Sequence, residues 1–275
     1  MNIQKLLQLL FSLVLALFLT ACGGGSKSPL HSQSSSGQLF TKQQRSVADQ
    51  FVSIFENGTT KIQYDYAEDI DDGRGITAGR VGFTSATGDM LIVIKAYKKV
   101  KPDNSLNQYL PELKRLEKLR YESGDKKGSA STKKLVGLIK AWKENSKLKS
   151  FRDIQDKVTD DLYFNPSIKA ARNIGAKYPL TVLSLYDTAI QHGVEGLVEI
   201  IAKVASISPE KGGDEIVWLQ SFNSLRLGIL KANKSWKDSV ARVYELQDMI
   251  KDKNYTLKPF TMNIDVYDNE EHILE

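Results

Sequence analysis

The chain has 275 residues, of which 41% are hydrophobic and 26% are charged, and only 7 are proline. This composition is typical of a globular protein and excludes a collagen-like, low-complexity or largely disordered chain. One cysteine and three histidines are too few for a disulfide framework or for a zinc site built from several such residues.

The N-terminal segment is typical of an export signal. Lys5 precedes an apolar run from Leu6 to Leu19, which as a helix would span about 21 Å and so fall short of the roughly 30 Å core of a bilayer. Leu19-Thr20-Ala21-Cys22 resembles the bacterial lipobox, whose cysteine is diacylated and becomes the first mature residue. The alternative is an ordinary signal peptide with an incidental cysteine.

The stretch from Gly23 to Gly37 is rich in glycine and serine, which is typical of a flexible tether. Two acyl chains on Cys22 would give stable membrane anchoring. We expect an exported protein, either a cell-envelope lipoprotein or extracellular, with a monomer as the default. Its predicted parts are a signal peptide over 1–21, a tether over 22–40 and a folded domain over 41–275.

Charge is unevenly distributed along the chain. Residues 56–89 carry seven acidic and three basic side chains, a net charge of −4, whereas residues 91–150 carry 16 Lys or Arg against 6 Asp or Glu, a net charge of +10. The basic segment favours a solvated face of long helices, with anionic envelope polymers or lipid head groups as alternative contacts. No nucleic-acid motif occurs and no nucleic-acid partner is expected. The acidic segment indicates a cationic ligand.

The folded domain is predicted to begin with a helix. Thr41 can cap it, and apolar residues recur at helical spacing as far as Phe55. Glu56 is therefore expected in the last turn, before Asn57-Gly58 ends the helix.

The next segment predicts a small antiparallel sheet. Ile62, Tyr64 and Tyr66 alternate with polar residues as in a half-buried strand, and Asp72-Gly73 predicts a turn before a second extended run as far as Phe83. The predicted fold class is mainly α (α+β). Helices are expected in the rest of the chain over 88–100, 104–121, 131–146, 149–163, 167–177, 180–192, 194–206, 212–233 and 235–253.

No common cofactor or metal motif occurs. The chain lacks a His-Glu-x-x-His sequence, a phosphate-binding loop and a nucleophile elbow. Residues 73–78 fit a Gly-x-Gly-x-x-Ala dinucleotide fingerprint, but a mostly acidic segment, 68–72, precedes them where a buried apolar strand is needed. We expect no cofactor and no metal.

A pair of carboxylates is the remaining candidate for chemistry. Glu56 at a helix end and Asp72 at a turn can face each other across a cleft, and glycoside hydrolysis needs two carboxyl groups so placed. The pattern alone is weak, because acids are abundant here and Asp-Gly is primarily a turn.

Three segments around these acids, 55–57, 68–79 and 82–90, read FEN, EDIDDGRGITAG and GFTSATGDM. Further motifs follow in order, among them Tyr163-Phe164-Asn165-Pro166 and Ser239-Val240-Ala241-Arg242-Val243. Over roughly residues 45 to 257 the chain resembles the glycoside hydrolase family 46 chitosanases. The resemblance implies a lysozyme-like, two-lobed fold with a substrate cleft between the lobes, and an endo-acting, inverting chitosanase.

The resemblance also implies roles for individual residues. Glu56 matches the general acid, Asp72 the general base that activates water, and Thr77 the residue that helps to hold this water. In an inverting enzyme the two carboxyl groups stand about 6.5–9.5 Å apart. Glu56 must be protonated at the working pH while Asp72 is ionised, so the two need different environments.

An acidic cleft suits the ammonium groups of chitosan. Asp89 is expected to bind substrate, with stabilisation of a helix start as the alternative. Arg74 is expected to pair with a neighbouring carboxylate. Tyr66 and Tyr163 are expected either to stack on sugar faces or to fill the core. The predicted substrate-binding residues are Tyr66, Glu68, Asp69, Arg74, Asp89 and Tyr163.

Three more residues match a buried ionic network that would orient Glu56: Asp187, Arg226 and Arg242. The alternative for them is ordinary pairing on helix surfaces. His192, before Gly193, is expected to be structural or peripheral.

The chain departs from the family pattern at two places. Ile76 stands where many relatives carry tyrosine, and residues 194–198 replace a Gly- and Asp-rich loop with a shorter, more apolar segment. Substrate preference and the subsites on that side of the cleft are therefore expected to differ.

The expected partners are chitosan and glucosamine oligosaccharides, together with a membrane through the lipid anchor at Cys22. Two other functions compete with this prediction. One is a muramidase-like cell-wall hydrolase, and the other is a non-catalytic, glycan-binding surface lipoprotein.

Overall fold

The computed structural model describes residues 40–233, 236–263 and 271–275. The predicted signal peptide, Cys22 and all of the predicted tether except its last residue lie outside these ranges. That last residue, Phe40, is buried and packs edge-on against Phe164, with ring centroids 5.5 Å apart. The folded part of the chain therefore includes Phe40.

Helices make up most of the described chain. The α-helices are α1 (Lys42–Asn57), α2 (Asp89–Val100), α3 (Leu110–Tyr121), α4 (Lys126–Ser129), α5 (Leu138–Ser146), α6 (Lys149–Thr159), α7 (Asn165–Asn173), α8 (Pro179–Ala202), α9 (Glu215–Ala232) and α10 (Ala241–Lys251). Short 3-10 helices cover Ser105–Tyr109, Pro209–Lys211 and Lys237–Val240, and a π-helical turn, Asp160–Phe164, joins α6 to α7. None of the helices in the described ranges is both long and apolar enough to cross a membrane.

In the described ranges, two small antiparallel sheets accompany the helices. The first has the order β1 (Ala67–Asp69), β2 (Ile76–Ala78), β3 (Phe83–Thr84), and every residue of its central strand is buried. Within it Thr77 pairs with Glu68 on one side and with Thr84 on the other. The second sheet pairs β4 (Phe260–Asn263) with β5 (Glu271–Leu274).

The elements pack into two lobes. In the first lobe α5 contacts β1 and β2, while α2 contacts β3, α3 and α6 around the buried rings of Tyr97, Trp142 and Phe151. In the second lobe α8 contacts α1, α9 and α10, and Trp218 stacks on Phe222 in its core. The α6 helix and the π-helical turn connect them, since α6 packs on α2 and the turn packs on α8. The predicted mainly α fold with a small antiparallel sheet is confirmed.

Some predicted elements are wrong in detail. Residues 62–66 do not form a strand; β1 begins at Ala67. The carbonyl oxygen of Tyr64 accepts hydrogen bonds from the side chains of Trp142, Ser146 and Gln155, at 2.8 to 3.0 Å, so side chains of the first lobe satisfy it in place of a strand partner.

One helical prediction also needs correction. The helix predicted over 131–146 begins only at Leu138, after Gly137 in the left-handed conformation at φ 85°. The C-terminal hairpin of β4 and β5 was not predicted at all. The break predicted at Gly193 is present, because this residue interrupts α8 with φ 73° and ψ 167°.

Candidate active site

The position of Glu56 is set by the ends of α1. Thr41 and Gln44 form a capping box, in which each side chain accepts a hydrogen bond from the other's backbone N–H, at 3.2 and 2.7 Å. Gly58 ends the helix in the left-handed conformation. Glu56 thus lies in the last turn, where its side chain is 23% exposed.

Glu56 comes close to the first sheet at Gly82. A Cβ atom built on Gly82 would lie 3.9 Å from Oε2 of Glu56 and 3.3 Å from Cγ2 of Thr77. The carboxyl group and the threonine side chain therefore border the same small space, which a residue without a side chain leaves open.

The hydroxyl group of Thr77 has an unusual environment. It is buried, and it makes no hydrogen bond with any of the described residues. A buried hydroxyl without a partner costs free energy, so such groups occur where a further ligand or a water binds.

Asp72 lies in the turn between β1 and β2, with its side chain 26% exposed. Arg74 holds it from two directions. The backbone N–H of Arg74 donates to Oδ1 at 2.9 Å, while its guanidinium donates to Oδ2 from Nε at 2.7 Å and from Nη2 at 2.6 Å. These contacts fix the Asp72 carboxylate, and they show that Arg74 pairs with Asp72.

A chain of ion pairs from α10 and α8 holds Glu56. Arg242 donates from Nη2 to Glu56 at 3.0 Å, and from Nη2 and Nε to Asp187 at 2.7 to 3.1 Å. Asp187 also pairs with Nη1 of Arg226 at 2.7 Å, and both of these side chains are fully buried. The structure thus brings together the three network residues proposed from sequence.

The charges in this network shift its pKa values. Burial alone would raise the pKa of Asp187, but Arg242 and Arg226 outweigh it, so the pKa lies below its ordinary value. Burial lowers the pKa of Arg226 to about 10, although Asp187 opposes the change. Asp187 is therefore held ionised between two cations.

His192 lies beside the network. Its ring packs edge-on against Trp236 with centroids 4.8 Å apart, and its buried Nε2 makes no hydrogen bond with the described residues. Burial, together with the charges of Arg226 and Arg242, lowers the pKa of His192 to about 4. The imidazole is thus neutral at pH 7.

The structure shows one of the two roles considered for Asp89, which is to stabilise a helix start. Its Oδ1 accepts hydrogen bonds from the backbone N–H groups of Thr84 and Met90, both at 2.9 Å, and from the hydroxyl of Thr87 at 2.7 Å. These contacts fix the start of α2. The hydroxyl of Tyr163 approaches Oδ2 at 3.4 Å, and burial raises the pKa of Asp89.

The remaining predicted substrate residues lie at the edge of the first sheet. Glu68 and Asp69 are exposed on β1, and the hydroxyl of Tyr66 lies 3.4 Å from the carboxylate of Glu68. Because Glu68 pairs with Thr77 in the sheet, this acidic edge adjoins the space at Gly82.

Sequence reasoning missed a second network, which centres on Arg80. This guanidinium is 5% exposed and pairs with Asp49 of α1 at 2.8 Å and with Asp156 of α6. The backbone carbonyl of Arg80 accepts a weak hydrogen bond from Asn57 at 3.4 Å. Arg80 therefore joins the segment after β2 to α1. A signal was present, since Arg80 interrupts a run of small and apolar residues predicted to be extended.

The described residues contain no group of three or more His, Cys, Asp or Glu side chains that could hold a metal ion. The ionisable groups near Glu56 and Asp72 instead form pairs and chains with arginine. The arrangement is suited to acid and base chemistry by side chains.

Comparisons with known proteins agree with this arrangement. Residues 50–260 match the model of glycosyl hydrolase family 46. A chitosanase of Bacillus subtilis is 44% identical over 242 residues, which are 83% of this chain and 84% of that protein.

Solved structures are also similar. A native chitosanase of Bacillus subtilis MY002 is 41% identical, with a TM-score of 0.77 over 85% of this chain and 99% of that one. A family 46 chitosanase of Gynuella sunshinyii in complex with chitotetraose is 42% identical, with a TM-score of 0.76 over 86% of this chain and 99% of that one. With this agreement in sequence and fold, the chain belongs to glycosyl hydrolase family 46.

Proposed function

We propose that the protein is an endo-acting chitosanase that hydrolyses β-1,4 linkages between glucosamine units with inversion at the anomeric carbon. The observation that carries the proposal is the space at Gly82, which is bordered by the carboxyl group of Glu56 and by Thr77, whose hydroxyl has no partner among the described residues. Asp72 belongs to the turn that leads into the strand of Thr77.

The reaction needs two proton transfers. Glu56 protonates the glycosidic oxygen as its bond to the anomeric carbon breaks, and Asp72 accepts a proton from the water that attacks this carbon from the opposite face. Thr77 holds the water through its hydroxyl. Arg74 and Arg242 position the two carboxyl groups.

The acidic edge of the first sheet supports a cationic substrate. Glu68 and Asp69 are exposed there, and Tyr66 lies beside them. Each glucosammonium unit of chitosan carries one positive charge, so it is attracted to this edge. A Bacillus subtilis chitosanase mutant complexed with 6 GlcN, 40% identical and with a TM-score of 0.78 to this chain, binds such sugars.

The test is time-resolved proton NMR of a fully deacetylated chitosan hexamer with the purified protein lacking residues 1–22. The α-anomer is expected first, because inversion of a β-linkage yields it. The β-anomer first would make the second carboxylate a nucleophile. Absence of cleavage would contradict the proposal and favour a wall hydrolase, tested by turbidity of cell-wall preparations, or a binding protein.

Substitution of the two carboxyl groups tests their roles. Glu56→Gln and Asp72→Asn are each expected to reduce the rate about 10²- to 10⁴-fold, the usual contribution of a positioned acid or base, or more. Matched controls are Glu144→Gln and Asp153→Asn, which change exposed carboxylates on α5 and α6 and are expected to retain the rate. Near-normal activity of either site variant would remove that residue from its role.

We also propose that the protein is exported as a monomer and is anchored to a membrane by acyl chains on Cys22. The lipobox-like sequence and the Gly- and Ser-rich stretch after it support export and the anchor, and a monomer is the default state. Metabolic labelling with a palmitate analogue is expected to mark the wild-type protein and to fail on Cys22→Ser. Equal labelling of both would contradict the anchor.

A further inference from the structure

Helix α5 presents a row of lysines to solvent. It buries Leu138 and Trp142 on one side, while Lys140, Lys143 and Lys147 are exposed. These three lysines are three and four positions apart, a spacing that places them on one face of a helix. More lysines lie just before and after them in the chain, so residues 131–150 carry six Lys against one Glu, a net charge of +5. We call the exposed side of residues 133–149 the lysine face.

Much of this charge is not neutralised by acidic side chains. Glu144 pairs with Lys147 at 2.8 Å, and Asp153 pairs with Lys149 at 2.7 Å. The four remaining lysines are exposed and form no ion pair with any residue that the structure describes: Lys133, Lys134, Lys140 and Lys143. The lysine face therefore presents a concentrated positive charge to an approaching partner.

An exposed apolar side chain lies near each end of α5. Val136, before the helix, is 83% exposed, and Leu148, after it, is 42% exposed. Val136 lies in a fixed turn, because its carbonyl oxygen accepts a hydrogen bond of 3.1 Å from the hydroxyl of Tyr109 and its neighbour Leu135 is buried. Single apolar residues are common on protein surfaces, but here a fixed turn holds one beside exposed lysines. The lysine face thus combines positive charge with apolar groups that can leave water on contact.

The lysine face lies on the opposite side of α5 from the first sheet. The buried side of α5 contacts β1 and β2, and the indole N–H of Trp142 donates to the carbonyl oxygen of Tyr64 at 3.0 Å. The exposed acids of the candidate site, Glu68 and Asp69, belong to β1. A polycation such as chitosan is attracted to those acids and repelled by the lysines. The lysine face therefore suits a partner of negative charge and not the proposed substrate.

We propose that the lysine face docks the protein on the surface of an anionic lipid bilayer. The negative potential of such a surface attracts the lysines, while the side chains of Val136 and Leu148 enter the boundary between head groups and acyl chains. A dissolved polyanion would use the charges but not the apolar side chains. Residues 133–149 contain no arginine, the residue typical of sites that bind single phosphate groups through paired hydrogen bonds. In the docked protein α5 lies between the bilayer and the first sheet.

Binding to vesicles tests the proposal in the absence of substrate. The protein lacking residues 1–22 is used, so that acyl chains on Cys22 make no contribution. It is sedimented with vesicles of equimolar phosphatidylglycerol and phosphatidylcholine, and in parallel with vesicles of phosphatidylcholine alone. We expect binding to the anionic vesicles only, and release when sodium chloride is raised from about 0.02 M to about 0.5 M, because the charges are then screened.

Two variants separate the charges from the apolar group. Lys133→Gln, Lys140→Gln and Lys143→Gln, combined in one protein, are expected to weaken binding about fivefold per lysine and so about a hundredfold together. Val136→Ser is expected to weaken binding about threefold, because the apolar group that leaves water on docking is lost.

Matched controls change the same residue types elsewhere. Lys169→Gln, Lys203→Gln and Lys258→Gln, combined in one protein, remove the same net charge from exposed lysines outside the lysine face. Val217→Ser changes an exposed valine on α9. Both controls are expected to bind as the parent does, and the urea midpoint of every variant should stay close to that of the parent.

Equal losses in the two lysine variants would reduce the effect to net charge and overturn the proposal, as would absence of binding to the anionic vesicles. A third contrary result concerns a dissolved polyanion. Release from the vesicles by soluble poly(glycerol phosphate) at an equal concentration of phosphate, with unchanged binding of Val136→Ser, would assign the lysine face to such a polymer instead of a bilayer. None of these outcomes depends on whether the protein cleaves chitosan.

Discussion

Neutralising Asp187 is the sharpest test of the network that holds Glu56. The variant Asp187→Asn keeps the size of the side chain and removes its charge. Asp187 is fully buried and pairs with two buried arginines. Without its charge, the described residues leave Arg226 a hydrogen bond to Gln191 at 2.7 Å and leave Arg242 an ion pair with Glu56.

The expected cost follows from this geometry. Removal of one partner of a buried ion pair costs about 3–5 kcal/mol, because the remaining charge stays buried without compensation. Asp187 serves two arginines, so we expect about 4–5 kcal/mol, the upper part of this range. Domains are stable by about 5–15 kcal/mol, so the variant should still fold at 25 °C and remain measurable.

Urea unfolding at pH 7 provides the measurement, with Asp153→Asn as the control. Asp153 pairs with Lys149 on the surface, where the two side chains are 53% and 80% exposed. Loss of such a pair costs about 0–1 kcal/mol. If Asp187→Asn costs no more than Asp153→Asn, the argument from buried charge is refuted.

The same network predicts how stability depends on pH. Because the pKa of Asp187 is lower in the folded protein than its ordinary value of about 3.9, its stabilisation is present above that value and lost as the pH falls through the lower, folded pKa. The wild-type free energy of unfolding should therefore fall below about pH 4. The decline should be shallower in Asp187→Asn, and an identical slope would contradict the assignment.

Two further variants address the other half of the site. Thr77→Val keeps the shape but removes the buried hydroxyl, so we expect activity to fall about tenfold with no loss of stability; a clear loss of stability in urea would show that the hydroxyl has a structural partner. Arg80→Met removes the cation that Asp49 and Asp156 share; because Asp49 keeps Arg45 at 2.9 Å and the Asp156 side chain is 38% exposed, the expected cost in urea unfolding is about 1.5–3 kcal/mol. A cost below 1 kcal/mol would show that Arg80 is not needed to join β2 to α1.

The parts of the fold that sequence predicts well are those set by neighbouring residues. The start of α1 depends on Thr41 and Gln44, three positions apart, and its end depends on the backbone freedom of Gly58. Gly193 likewise breaks α8 through its own backbone angles. Local chemistry decides these boundaries, so a single sequence is enough to place them.

The prediction of a strand over 62–66 is wrong because contacts with distant residues, not neighbouring ones, decide the structure there. The alternation of Ile62, Tyr64 and Tyr66 is typical of a half-buried strand. The backbone of Tyr64 is instead bound by Trp142, Ser146 and Gln155, which are about 80 to 90 positions further along the chain. No local pattern predicts which distant side chains will satisfy a carbonyl group.

In the candidate site, too, local patterns could be predicted from the sequence and distant contacts could not. Glu56 and Asp72 could be proposed because one lies at a predicted helix end and the other at a predicted turn, and the family motif covers both. Arg80 was missed because its partners, Asp49 and Asp156, lie on separate helices that pack beside it only in the fold.

The network of Arg80 and the network of Arg242 both hold α1 through its acidic side chains. Asp49 and Glu56 are seven residues apart, two helical turns, so they lie on one face of the helix. Arg80 of the first lobe forms an ion pair with Asp49, and Arg242 of the second lobe forms an ion pair with Glu56.

The α8 helix reaches both networks through adjacent residues. Tyr186 donates its hydroxyl to Asp49 at 3.2 Å, while Asp187 binds Arg242. Apolar packing alone is non-directional and would allow α1 to slide or rotate. Directional bonds from arginines in both lobes instead fix its position, and because Thr77 lies on the strand just before Arg80, they also fix the position of Glu56 relative to Thr77.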